Sequence, residues 1–278
     1  MQTVETIAEL RTLRRAWAGS VGLVPTMGYL HAGHLALIEQ ARRANDQVIA
    51  SIFVNPAQFG PHEDYTSYPR DPERDLDMLR QAGVDLVFLP SVEAIYPTGF
   101  QTHIEVSGVS QGLEGGRRPG HFRGVATVVG KLFNLTQPDR AYFGQKDAQQ
   151  VAVIRRMVAD LNFPLDIVVV PTLRAANGLA LSSRNAFLSE AERAAAPVVY
   201  RALSAARDAY AQGSRYSDTL RGILRDVLSS EPLAQLDYVS VADAESLHEI
   251  TGESAGALLV SLAVRFGRTR LIDNIVLG

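Results

Sequence analysis

Cysteine is absent from this chain, so disulfides, thiol nucleophiles and thiolate metal ligands are excluded at the outset. Charge of one sign is also lacking: 27 Lys and Arg against 30 Asp and Glu leave a formal net charge of -3. That balance argues against a nonspecific nucleic-acid binder, whose phosphate contacts require a basic excess. Long apolar runs are missing too. Even ALLVSLAV at Ala257–Val264 is far short of a membrane span, and the opening MQTVETIAELRTLRRAW carries acids and no apolar signal-peptide core. The expectation is a soluble, cytoplasmic protein that binds neither nucleic acid nor membrane. What remains is an ordinary globular composition, 46% hydrophobic and 21% charged over 278 residues, enough for a core and for two domains.

The stretch with most chemistry is Gly22–Ile38, GLVPTMGYLHAGHLALI. Val21, Leu23 and Val24 suit a strand that Pro25 ends; Leu35, Leu37, Ile38 and Ala41 suit the buried side of a helix. Gly28 and Gly33 permit close backbone approach. His31 and His34, three residues apart, project to one side of the helix's opening turn, beside backbone donors that attract phosphate. Taken alone, the HxGH string fits either a triphosphate site or histidines that cap and pack the helix.

The rest of the first half alternates strand and helix: a strand at Thr3–Val4, helix Ile7–Trp17, strand Gln47–Val54, a helix from Pro72 through Leu79, strand Val84–Leu89, helix Val125–Leu135, strand Arg140–Phe143 and strand Leu165–Val170. In such sheets the residues just past strand ends line the ligand crevice. Asn55 and Gln58 in NPAQFG can bond a small polar substrate beside Phe59, or form an ordinary turn. Asp75 can reach magnesium through water, or be a solvated or capping acid. An edge strand is expected near His103–Val106. Arg117, Arg118, His121 and Arg123 can cover an anionic ligand or form a basic surface loop. Gly124–Lys131, GVATVVGK, is no P-loop, because the glycine spacing is too long and Leu132 stands where Ser or Thr is required. In GQKD, Lys146 can meet phosphate or pair on the surface, and Asp147 can cap a helix or bind ribose. After a boundary near Leu173, NGLALSSRN offers Ser182, Ser183 and Arg184 to phosphate or to a helix start. A long helix Ser189–Ala211 with a possible break at Pro197, a helix Ser217–Leu228, and strands Leu236–Val241, Ala257–Arg265 and Arg270–Leu277 complete an α+β domain.

Taken in order, PTMGYLHAGHLALI, IFVNPAQFG, YPRDPERD, GGRRPGHFRGVATVVGKLFN, AYFGQKDAQQ and NGLALSSRNAFL resemble the pantothenate synthetases, or pantoate:beta-alanine ligases, over essentially the whole chain. The resemblance implies a Rossmann-like parallel-sheet domain, 1–172, and a smaller α+β domain, 173–278, that closes the active site, in a homodimer. It implies ATP and Mg2+ driving the union of (R)-pantoate with beta-alanine into pantothenate, AMP and pyrophosphate through a pantoyl adenylate.

Carried onto matching positions, ATP binding falls to Met27, Gly28, Tyr29, Leu30, His31, Ala32, Gly33 and His34, then Gly144, Gln145, Lys146 and Asp147, then Leu173, Leu181, Ser182, Ser183 and Arg184. Among these, His34, His31, Lys146, Ser182, Ser183 and Arg184 are the expected catalytic set. Gln58 and Gln150 would bind pantoate, with Gln58 also reaching beta-alanine. Leu181 departs from the usual methionine, and Ala175–Asn177 from the usual proline and aspartate context. Two other functions compete: an adenylyl transferase that stops at a dinucleotide-like product, and a noncatalytic nucleotide-binding protein.

Overall fold

Alternating burial along each early strand dictates a sheet covered on both faces. Leu23, Ile49, Leu86, Phe88, Ala141 and Phe143 join one core, while Val24, Val48, Ala50, Val87 and Tyr142 join another on the opposite side. The computed structural model describes residues 1–61 and 63–278; His62, inside the expected Pro61–Pro72 loop, lies outside them. Its elements are β1 (Gln2–Val4), α1 (Ile7–Arg15), β2 (Val21–Thr26), α2 (Ala32–Ala44), β3 (Gln47–Ile52), α3 (Pro72–Gln81), β4 (Leu86–Phe88), α4 (Val92–Ile95), α5 (Leu113–Arg117), α6 (His121–Thr136), β5 (Arg140–Gly144), α7 (Ala148–Asp160) and β6 (Asp166–Val170). Then come α8 (Glu190–Ala195), α9 (Val198–Ala211), α10 (Ser217–Ser229), β7 (Gln235–Asp243), β8 (Leu258–Phe266) and β9 (Thr269–Leu277). Among the described residues no helix is long and apolar enough to cross a membrane.

The first sheet is wholly parallel, in the order β1-β4-β3-β2-β5-β6. Neighbouring strands β2 and β5 lead into helices on opposite faces: α2 contributes Leu37 and Ile38 to one core, and α7 contributes Val153 and Ile154 to the other. Their carboxyl ends are therefore the topological switch point, where a Rossmann-like sheet opens a crevice. A second sheet, antiparallel β7-β8-β9, packs with α9 and α10 around its own core of Leu203, Leu224, Val260 and Leu262.

Two compact units follow: Met1–Gly144 with Gln150–Pro171, and Gln145–Gln149 with Thr172–Gly278. The second unit begins one residue before the expected 173 and also takes Gln145–Gln149, which no single cut along the chain can express.

Three local expectations are corrected. Pro25 does not end its strand, which runs on through Thr26 in register with β3. β5 pairs with β2 only at Gly22 and Leu23, so beyond them one side of the strand asks for no ladder donor, and proline is tolerated. No strand forms at His103–Val106. Instead Ile104 N donates to Thr127 Oγ1 at 2.9 Å, and its side chain lies where a Cβ on Gly130 would fall. Finally, Ser189–Ala211 is two helices, because Pro197 cannot continue the α8 hydrogen-bond ladder.

Candidate active site

Where β2 ends, the chain turns left-handed at Gly28 (φ +79°) and Tyr29 (φ +50°). A Cβ at Gly28 would lie 2.9 Å from Asp75 Oδ2, so close approach as well as φ demands glycine. The turn aims two successive amides at that carboxylate: Tyr29 N donates to Oδ2 at 2.6 Å and Leu30 N to Oδ1 at 2.7 Å. Asp75 is 1% exposed. Burial raises its pKa above the ordinary carboxylate value, while the two amides pull the other way. The geometry thus gives Asp75 a different task from the expected magnesium contact: both oxygens are engaged in fixing the backbone that presents HxGH.

Helix α2 starts with a capping box made of histidines. His31 is the N-cap; its Nδ1 accepts from Gly33 N at 3.1 Å, and His34 Nδ1 accepts from His31 N at 3.3 Å. The rings stand 4.1 Å apart between centroids. With each Nδ1 acting as an acceptor, the neutral rings carry their protons on Nε2. Capping and ligand binding are therefore compatible readings: one nitrogen of each ring organises the helix, and the other is the N–H that a phosphate oxygen requires.

Past β3, the Pro56–Gln58 turn is built around Asn55. Asn55 Oδ1 accepts from Tyr96 OH (2.8 Å) and Ala57 N (3.2 Å); its Nδ2 donates to Gln58 Oε1 (3.0 Å) and Gly124 O (3.1 Å). Burial pushes the Tyr96 hydroxyl up to about 12, so it stays a donor. This buried asparagine has its hydrogen bonds satisfied within the fold, and the expected substrate contact passes to Gln58, whose Nε2 touches Met27 Sδ at 3.2 Å. Phe59 packs with Tyr65 and Tyr68 at centroid distances of 5.5 and 6.0 Å.

The expected basic cover is in part an internal brace. Arg118 grips Glu63 with two hydrogen bonds of 2.7 and 2.6 Å. Its Nη1 lies 3.0 Å from His121 Nε2, and His121 Nδ1 lies 2.8 Å from Gln58 O. Guanidinium only donates, so Nε2 accepts and Nδ1–H donates to the carbonyl. Desolvation first, then the charge of Arg118, lowers the His121 pKa to about 4 from 6.5, against the raising effect of Glu63 and Glu114.

Because the folded pKa lies below the unfolded one, this contribution to stability is present above pH 6.5 and is lost as pH falls toward about 4. Moving from pH 7 to pH 5 should cost wild type ~2 kcal/mol more than His121→Phe. Urea denaturation of both proteins at the two pH values reads this, and parallel losses would refute it.

In the second unit, Gln145–Asp147 forms a one-turn 3-10 helix directly after β5. Lys146 Nζ lies 3.5 Å from Asp147 Oδ1. Leu181 N donates to Leu173 O at 3.0 Å, closing a hairpin bridged at Arg174 and Ala180, with Gly178 (φ +92°) at its bend. That hairpin delivers Ser182, whose Oγ accepts from Arg184 N at 3.3 Å and starts the 3-10 turn Ser183–Phe187. Ser183 is buried and Arg184 half-buried. Gln150 is half-buried in the first turn of α7 and belongs to the first unit. The expected ATP residues therefore divide, with Met27–Gly144 in one unit and Gln145–Asp147, Leu173 and Leu181–Arg184 in the other.

A family model described as Pantoate-beta-alanine ligase matches residues 2–276. The chain belongs to the pantoate-beta-alanine ligase family. A pantothenate synthetase of Herpetosiphon aurantiacus is 61% identical over 277 residues, covering all of both chains. The crystal structure of pantothenate synthetase from Thermus thermophilus superposes with a TM-score of 0.94 at 53% identity, over 99% of each chain. That of the Francisella tularensis pantoate-beta-alanine ligase, complexed with beta-gamma ATP and beta-alanine, gives a TM-score of 0.81 at 35% identity, over 99% of this chain and 97% of that one. The ligase fold accommodates Leu181 through its backbone bond to Leu173, which does not depend on the side chain.

Sequence reasoning missed the supports of this ligase site. Asp75, His121 and Gly124 were visible as residue types. Their partners lie 45 to 69 positions away, at separations where local pattern carries no signal.

Proposed function

We propose that the chain joins (R)-pantoate to beta-alanine at the expense of ATP, through pantoyl adenylate, releasing pyrophosphate and then AMP. The observation that carries this reading is the HxGH turn. It stands at the carboxyl end of β2 beside the switch point, with both Nδ1 atoms committed to capping and Nε2–H left as the donor on each ring. The Francisella relative's ATP and beta-alanine supply the matching ligand chemistry.

In the first step a pantoate carboxylate oxygen attacks the α-phosphorus, and the bond to the bridging oxygen breaks to free pyrophosphate. His34 and His31 donate to phosphate oxygens at the N-terminus of α2. Lys146 and Arg184 supply fixed positive charge, and Ser182 and Ser183 supply hydroxyl donors. In the second step the unprotonated amine of beta-alanine attacks the acyl carbon of the mixed anhydride, loses a proton, and expels AMP. No covalent enzyme intermediate is needed. Gln58 and Gln150 orient pantoate, Gln58 using the second hydrogen on its Nε2.

Among the described residues no three His, Asp or Glu side chains gather as a metal cage, and Asp75 is committed to two amides. The chain's own residues do not build a magnesium site, so the cation is written as part of the substrate, magnesium-ATP, held by phosphate oxygens and water. Cytoplasmic location and assembly as a homodimer belong to the same proposal, on the family resemblance; light scattering reads the second.

The deciding assay incubates the protein with magnesium-ATP and pantoate, samples pyrophosphate and pantoyl adenylate, and then adds beta-alanine. Adenylate that converts to pantothenate and AMP supports the reading. ATP binding without pyrophosphate release, or a stable dinucleotide-like product, rejects it. Gln58→Ala should raise the KM for pantoate about 10-fold or more, the size of one hydrogen bond to a charged ligand, with the KM for ATP little changed. Unaltered pantoate dependence would remove Gln58 from the pocket.

A further inference from the structure

The Gln145–Asp147 turn is held by the last strand of the chain. Asn274 on β9 donates through one Nδ2 to two successive carbonyls, Gln145 O at 3.0 Å and Lys146 O at 2.8 Å. Its Oδ1 accepts from Gln145 Nε2 at 3.0 Å. The residue is 4% exposed, so these bonds are made out of water, where an unpaired carbonyl is costly.

Asn274 is itself fixed from behind. Its backbone N donates to Asp273 Oδ1 at 2.8 Å, and that carboxylate is gripped by both terminal nitrogens of Arg174. The Arg174 guanidinium lies 3.9 Å from the Tyr200 ring centroid and also donates to Gly178 O at 3.2 Å. Arg174 begins the hairpin that delivers Ser182–Arg184. Adjacent residues of one strand thus fasten two turns: Asn274 the one carrying Lys146, and Asp273 the base of the one carrying Ser182, Ser183 and Arg184.

We propose that Asn274 is a positioning residue for adenylate formation, its side-chain amide clamping the two carbonyls that set the place of Lys146. The inference rests on Lys146 acting as a phosphate contact. No other side-chain type does this job at this size: aspartate keeps the acceptor for Gln145 Nε2 but turns a second oxygen, with no hydrogen, toward both carbonyls. Loss of the clamp frees the turn without removing any group that meets the nucleotide. Displacement of a charged contact by about an ångström is enough to cost up to ~10²-fold in rate.

The test is a double-mutant cycle on pantoate-dependent pyrophosphate release. Asn274→Ala should lower kcat by roughly 10-fold or more in the wild-type background. In the Lys146→Ala background, where no lysine remains to be misplaced, it should add less than about 2-fold. Asn274→Asp should behave like Asn274→Ala. Thermal unfolding of each variant establishes that it is folded, and if Asn274→Ala is not, the cycle is run with Asn274→Asp. Equal fold losses in both backgrounds, or a folded Asn274 variant with wild-type kcat, would overturn the clamp. If Lys146→Ala alone keeps wild-type activity, it is the reading of Lys146 that fails, a result distinct from either of those.

Discussion

Replacing His34 with alanine is expected to leave a folded protein whose pantoate-dependent pyrophosphate release falls by ~10²–10³-fold, the effect of removing one donor aimed at developing charge. The fold should survive because His34 contributes one cap bond, Nδ1 to His31 N. Caps of this kind are worth ~1 kcal/mol. The same bond creates an ambiguity that alanine alone does not resolve, since a frayed first turn of α2 would also misplace His31. Glutamine separates the two roles. At the third helical position a Gln side chain can reach back to the N-cap amide as His34 does, so His34→Gln should recover the stability lost in His34→Ala. It has no ring N–H at the Nε2 position and should stay slow. Urea titrations of both variants, beside single-turnover pyrophosphate release, give the answer. A glutamine variant that regains stability and rate together would reduce His34 to a helix cap. Lys146→Ala should fall into the same range of rate loss, but with little change in stability, because its ion pair is with the exposed carboxylate of Asp147.

Most of the first domain was legible because its strands are short apolar runs separated by helix-period segments, and because turn chemistry marks their ends. Asp71 and Pro72 start α3 as the sequence suggests, and Ser189 with Glu192 caps α8. The nucleotide-facing strings were legible for the same reason, lying at strand ends that a parallel sheet brings to one edge. Pro25 and His103–Val106 were misread because strand membership there is decided by a neighbour: β5 stops pairing before Pro25, and α6 rather than a strand receives Ile104. The supports of the site were invisible for a related reason. Asp75 meets Tyr29 and Leu30 across more than forty positions, and Asn274 meets Lys146 from the far end of the chain. Short motifs report the groups that face a ligand, whereas the residues that hold those groups still are set by packing.

Gly124 shows how severe that packing is, and Gly124→Ala should be the most disruptive single methyl in the first unit's site. The glycine lies in α6 against the Pro56–Gln58 turn. An added Cβ would stand 2.7 Å from Gln58 N and closer still to the carbonyl carbon and oxygen of Ala57. These are backbone atoms, so no side-chain rotation relieves the clash, and helix and turn must separate by about an ångström to reach van der Waals contact. Separation would also stretch Asn55 Nδ2 to Gly124 O and His121 Nδ1 to Gln58 O. Overpacking of this kind costs up to ~3 kcal/mol, and stretching two buried hydrogen bonds adds to it. Because the moving backbone is that of Gln58, the variant should combine a lower urea midpoint with a KM for pantoate raised at least as far as in Gln58→Ala. Its KM for ATP should change less, since Met27–His34 is anchored separately through Asp75. Equal rises in both KM values would mean that the helix–turn contact supports the whole unit and not the pantoate pocket in particular.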